Sequence, residues 1–131
     1  MELNFLGLVA ATSAFFGIWI GHVSVRFIEQ RTTHLWKPVL AALVLGLSLE
    51  AWSMSTSHHL LSAATGILGV TVLWDALEFL RQEKRVKNGH APANPDNPRH
   101  ARILAEYPTA TTENLLSREP VSVSNTQAPD L

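Results

Sequence analysis

From Leu3 to Val25 the chain runs for 23 residues without a formal charge. A helix of that length reaches about 35 Å, enough for a hydrocarbon core of roughly 30 Å. In lipid every backbone polar group must be satisfied within the segment, which leaves a helix as the only form for a single stretch. Two more stretches of this kind follow, Leu35–Met54 and Leu60–Leu80. The second has Pro38 in its first turn, where the missing N–H costs nothing. The third continues into Asp75, Glu78, Arg81, Glu83, Lys84, Arg85 and Lys87. It therefore begins in oil and ends in water, which fixes a depth and an orientation.

Charge divides the chain in two. Only eight charged residues fall within residues 1–80, and thirteen fall within residues 81–131, together with six of the seven prolines. The expected fold is an all-α three-helix transmembrane bundle over residues 1–87, with helices at about 3–27, 35–54 and 60–87. A charged extension of the third helix and a Pro-rich, mostly disordered tail over 88–131 complete it. The N-terminal MELNF is acidic and lacks the basic region of a secretory signal, so the first segment reads as a retained helix.

All ten Lys and Arg residues lie around the first loop (Arg26, Arg31, Lys37) or from Arg81 onward. Three crossings put those two places on one side. By the positive-inside rule that side is the cytoplasm, which places the protein in a cell (inner) membrane with its N-terminus and the Ser53–His59 loop outside. Trp36 and Trp52 stand near the two ends of the second span, as interfacial anchors do.

The net charge of −1 argues against nucleic acid as a partner. There is no cysteine, and the six histidines lack ligand spacing. No Walker loop, GxSxG, HExxH or GxGxxG is present, so neither enzyme activity nor a cofactor is expected.

The candidate residues fall into three groups. Ser13, Gly17 and Gly21 on the first helix, with Ser62, Gly66 and Gly69 on the third, form small-residue stripes. Such stripes pack helices within one chain or between copies. His22, Glu50, Asp75 and Glu78 are the intramembrane polar residues. His22 and Asp75 are expected at similar depth, with Arg26 reaching Asp75 or Glu78. Glu78 can instead pair along its own helix with Arg81 or Gln82. Glu50, two residues before Trp52, reads as an interfacial carboxylate with access to water; pointed inward, it would be an ion or proton site.

Asn88-Gly89 is a helix stop, with Pro92 after it. Asn97 can cap a short helix with Pro98 at its first position, running to Tyr107 and stopped by Pro108, with Ile103, Leu104 and Tyr107 on one face. It is expected as a transient helix in the tail.

The run from Leu73 to His100 resembles the closing signature of a family of small bacterial membrane proteins catalogued as domain of unknown function 4491. Glu78, Phe79, Gln82, Glu83, Arg85, Val86, Gly89, Pro92, Asn94 and Pro95 match its pattern. The N-terminal NFxGL (Asn4–Leu8) and an HxxV (His22–Val25) are also similar. His90 replaces the aromatic residue usual after the glycine, and the chain from Arg99 extends past the resemblance, which covers roughly residues 1–98. The resemblance implies a small helical membrane protein and no assigned activity. It marks Gln82, Glu83, Arg85, Val86, Gly89, Pro92, Asn94 and Pro95 as a cytoplasmic contact motif.

The leading expectation is a structural or accessory membrane component in the lipid bilayer, which forms a homo-oligomer or packs on a membrane protein partner. The alternative is a small oligomeric ion or proton transporter or channel, with His22, Glu50 and Asp75 lining its path.

Overall fold

The computed structural model describes residues 3–118. Its helices are α1 (Leu6–Glu29), α2 (Trp36–Ser55), α3 (His59–Lys87) and α4 (Pro98–Glu106), and no strand occurs among the described residues. The first three are long and apolar enough to cross a membrane. Their outward faces carry large exposed apolar side chains, among them Leu8, Phe15 and Trp19 of α1, Leu40, Val44 and Leu47 of α2, and Val70 and Leu77 of α3. Such faces suit lipid, where a Leu is as well solvated as it would be in a protein core.

The α3 helix is the spine. Both α1 and α2 pack along it and scarcely on each other. The registers follow from the small residues. Gly17 faces Thr71 and Gly21 faces Asp75, so α1 and α3 run in the same direction. Gly46 faces Leu73, while Gly66 lies beside Ser53 and Gly69 under Glu50, so α2 runs antiparallel. A Cβ at Gly21 would stand 2.5 Å from Asp75 Oδ1, and one at Gly69 would stand 2.5 Å from Glu50 Oε1. The stripes thus bring the helices of one chain together. Ser13 is half-buried on the same helix.

Apolar burial inside the bundle is concentrated near the first loop, where Val25, Ala42, Ala76 and Phe79 meet, with Leu35, Val39 and Val72 packed around them. A second small core lies beyond the span. Val86, Ala91, Ala93 and Ile103 form it, with Leu104 and Ala110 against them.

This second core corrects one expectation. The helix at 98–106 is not a transient turn in a loose tail, because His100 and Ile103 are buried where it docks. Of the tail expected to be mostly disordered, residues 88–118 hold defined turns and α4; residues 119–131 lie outside the described residues. The stop after α3 takes the form of a Schellman motif. His90 N–H donates to Arg85 O (2.7 Å) and Gly89 N–H donates to Val86 O (3.1 Å). Gly89 has φ +72°, and a Cβ there would also collide with the carbonyl of Thr109.

Candidate functional site around the first loop

The last turn of any helix leaves carbonyl oxygens without intrahelical donors. At the end of α1 those donors come from the chain beyond α3. Asn94 Nδ2 donates to Gln30 O (3.1 Å). Asn97 Nδ2 donates to both Gln30 O (3.1 Å) and Thr32 O (2.9 Å). Arg99 donates through Nε to Thr32 O (3.1 Å) and through Nη2 to Glu29 O (2.6 Å). A guanidinium at a helix C-terminus is also favoured by the helix dipole.

Beneath these bonds lies a buried ionic cluster. Glu29 and His100 are both 0 % exposed. Glu29 Oε1 pairs with Arg99 Nη2 (2.8 Å) and lies 3.0 Å from His100 Nε2. Asn94 N–H donates to His100 Nδ1 (2.9 Å), which assigns the ring proton to Nε2 and makes the imidazole a donor to Glu29. Glu83 extends the cluster, with Lys87 at 2.7 Å and Arg99 at 3.7 Å. Asn97 has one further duty: its Oδ1 accepts from Arg99 N–H (3.0 Å) and caps α4.

The motif Gln82–Pro95 is therefore turned largely inward. Gln82 and Val86 are buried and Gly89 forms the turn. Arg85 bonds Gln82 (3.1 Å) and Glu78 (3.0 Å). Pro92 and Pro95 remain exposed, beside His90 and Asp96. Sequence reasoning missed Glu29, Arg99 and His100 as one cluster. The cap at Asn97 was legible, but nothing local to Glu29 announces a partner 70 residues away.

The intramembrane groups are arranged as follows. Glu78 pairs with Arg81 (2.8 Å) and Arg85 (3.0 Å), not with Gln82. Arg26 reaches neither Asp75 nor Glu78, and its side chain has no polar partner among the described residues. His22 and Asp75 line one groove of about 400 Å³ on α1 and α3, with Ile18, Val70, Thr71, Trp74 and Glu78. Glu50 is not in that groove. Side chains on a helix lean toward its N-terminus, which for Glu50 is away from the Ser53–His59 loop. Its carboxyl accordingly lies over Gly69, with Oε1 buried and without a hydrogen-bond partner. The expected interfacial placement is thus corrected in depth: Oε1 lies inside the α2–α3 contact at the level of Gly69, on a residue that is half-buried overall. Nearby hydroxyls are already engaged, since Ser53 Oγ donates to Ser62 O (2.8 Å) and Thr65 Oγ1 to Leu61 O (2.8 Å).

Because α1 and α2 both lean on α3, a cleft of about 610 Å³ opens between them. Gly21, Ala41, Leu45, Val72 and Phe79 line it, with Asp75 on its wall and Lys37 among its residues. Cations cluster at this end over aromatic rings: Arg31 over Phe27 (3.8 Å), Lys37 over Trp36 (6.0 Å) and Arg81 over Trp74 (4.8 Å). This is how long basic side chains lie at a membrane boundary.

A protein-family model described as "Domain of unknown function (DUF4491)" matches residues 4–97. No curated protein and no solved structure matches the chain.

Proposed function

The chain belongs to the DUF4491 family, and on that footing we propose that this multi-pass membrane protein is a structural, accessory component that packs on a larger membrane complex. The observation that carries this reading is the cleft between α1 and α2. A three-helix unit closed on itself would fill that space with its own side chains; this one leaves it open along the spine, with Asp75 on the wall. The occupant that fits is a transmembrane helix of a partner, with a hydrogen-bond donor or cation at the depth of Asp75. Self-association through Gly17 and Gly21 is less favoured, because both already face α3.

Orientation belongs to the same reading. The basic residues at the first loop and the tail, three of them stacked on interfacial rings, support a cytoplasmic C-terminus and an external Ser53–His59 loop in a cell (inner) membrane. The clip built from Asn94, Asn97 and Arg99 then holds Pro92, Pro95 and Asp96 in fixed positions at the cytoplasmic face, where a soluble part of the same complex can meet them.

The test is a mild-detergent pull-down of a C-terminally tagged copy from native membranes, with native mass measurement of what is recovered. A larger membrane protein in fixed ratio, lost on Ala41→Trp, is the expected result. Recovery of a monomer or homo-oligomer alone sinks the accessory reading. Single cysteines placed at Ser57 and Ala105 in the cysteine-free chain test the orientation: an impermeant maleimide should label only the first from outside.

The second reading, a small oligomeric ion or proton transporter, draws on His22 and Asp75 sharing one groove. It requires pH-dependent flux in proteoliposomes that Asp75→Asn abolishes. Glu50 stands apart from that groove, so the three-residue path would have to be completed elsewhere.

A further inference from the structure

On α1, Ile18, His22, Arg26 and Glu29 follow one another on a single face, on the side of the helix away from the α1–α2 cleft. On α3, Thr71, Asp75, Glu78, Gln82 and Arg85 do the same. These two faces bound two adjoining hollows. The upper one is the 400 Å³ groove within the membrane span, with Ile18, Val70 and Trp74 among its walls. The lower one is about 410 Å³ and lies at the end of the span, bounded by Arg26, Gln82, Arg85, His90, Pro92 and Leu116. Residue 26 of α1 stands level with residue 80 of α3, by the same offset that sets Gly17 against Thr71 and Gly21 against Asp75. The lower hollow is therefore at the boundary between lipid and water, directly beneath the groove.

We propose that the groove and the hollow one turn below it together form a phospholipid site: the phosphodiester sits by Arg26 and Arg85, and one acyl chain runs up past Trp74, Val70 and Ile18. Charge balance carries the assignment. Glu78 is paired with Arg81 and Arg85, and Glu29 with Arg99. Those pairs neutralise Glu29 at the hollow and Glu78 at the groove. Asp75, the remaining acid, lies in the groove five residues of α3 above the level of Arg26, so at the hollow itself the Arg26 guanidinium is the uncompensated charge, free of any polar partner among the described residues. A guanidinium recognises a phosphodiester through parallel N–H donors. The half-exposed Trp74 ring and the 60 %-exposed Val70 offer the apolar track that a chain attached to that phosphate needs. Thr71 and Asp75 border both this groove and the α1–α2 cleft, but Arg26, Arg85, Trp74, Val70 and Ile18, which would hold the phosphate and the chain, border only this site.

The measurement is native mass spectrometry of the delipidated full chain with phosphatidylglycerol, phosphatidylethanolamine or an uncharged diacylglycerol, alongside inorganic phosphate. The phospholipids should be retained at least tenfold more strongly than diacylglycerol. Arg26→Gln should reduce that retention about tenfold; Arg31→Gln, which removes the cation stacked on Phe27, should not. Val70→Trp, at an exposed position, should block the acyl track and lower retention without unfolding the bundle. Equal retention of diacylglycerol, or no effect of Arg26→Gln, overturns the site. Inorganic phosphate that competes fully with lipid in the Val70→Trp variant would identify a soluble anion as the ligand and overturn the lipid assignment.

Discussion

Asn97 joins three parts of the molecule, and replacing it separates two explanations for why the tail docks. In Asn97→Ala the α4 cap is lost, at a cost of about 1 kcal/mol. Two hydrogen bonds to Gln30 O and Thr32 O go with it, at about 0.5–1.5 kcal/mol each. Neither carbonyl is orphaned, because Asn94 and Arg99 still donate to them, so the larger penalty for a buried unpaired group does not apply. The sum is about 2–4 kcal/mol, and the lower end alone is about a 25-fold change in the docking equilibrium. Hydrogen exchange in micelles should then show residues 99–107 losing protection by at least that factor, with the centres of α1 and α2 unaffected. Asn97→Asp is the discriminating variant. It keeps an excellent cap but points a carboxylate oxygen at two carbonyl oxygens, so it should be worse than alanine. If the Asn97→Asp chain protects the tail as well as the unaltered chain does while Asn97→Ala does not, capping alone holds α4 and the reasoning about the clip is wrong.

Arg99→Met leaves Glu29 buried without its cation and should cost about 3 kcal/mol or more, read as maleimide labelling of a cysteine at the buried Ala93 position. Gly21→Ala places a methyl against Asp75 and should lower bundle stability by about 1–3 kcal/mol in a denaturing-detergent titration, whereas Gly7→Ala, with open space around it, should change little. Glu50→Gln should raise stability in that titration by about 1 kcal/mol, because a neutral amide costs less to bury without a partner than a carboxylate does. Gly89→Ala should open the second core, seen as faster proteolysis after Lys87, since the left-handed turn costs an L-residue about 1–2 kcal/mol before the collision with Thr109 is counted.

The spans were legible because lipid imposes length and apolarity on consecutive residues, a local signal that needs no partner. The helix stop at Asn88-Gly89 and the cap at Asn97 were legible for the same reason, as both are chemistry within a few residues. What escaped was set by partners distant in sequence. Glu29 looks like an ordinary end-of-span acid until His100 and Arg99 close over it. Glu50 looks interfacial by residue number, but the lean of its side chain and the missing Cβ of Gly69 carry its carboxyl inward. The small-residue stripes were legible as packing surfaces, while their choice of partner, α3 for Gly17 and Gly21 and α2 for Gly66 and Gly69, needed three dimensions.

The side chains that finish α1 are separated from it by 64 to 70 residues of chain. During synthesis α1, α2 and α3 can all enter the bilayer before Asn94, Asn97 and Arg99 exist. Until then water must serve the open carbonyls beyond Ile28, and Glu29 has no cation to accompany it into burial. A product cut short before Asn94 would still have all three spans, yet would present a frayed first helix and a bare acid at the membrane surface. The clip thus couples the end of the first span to residues that are made only after the third.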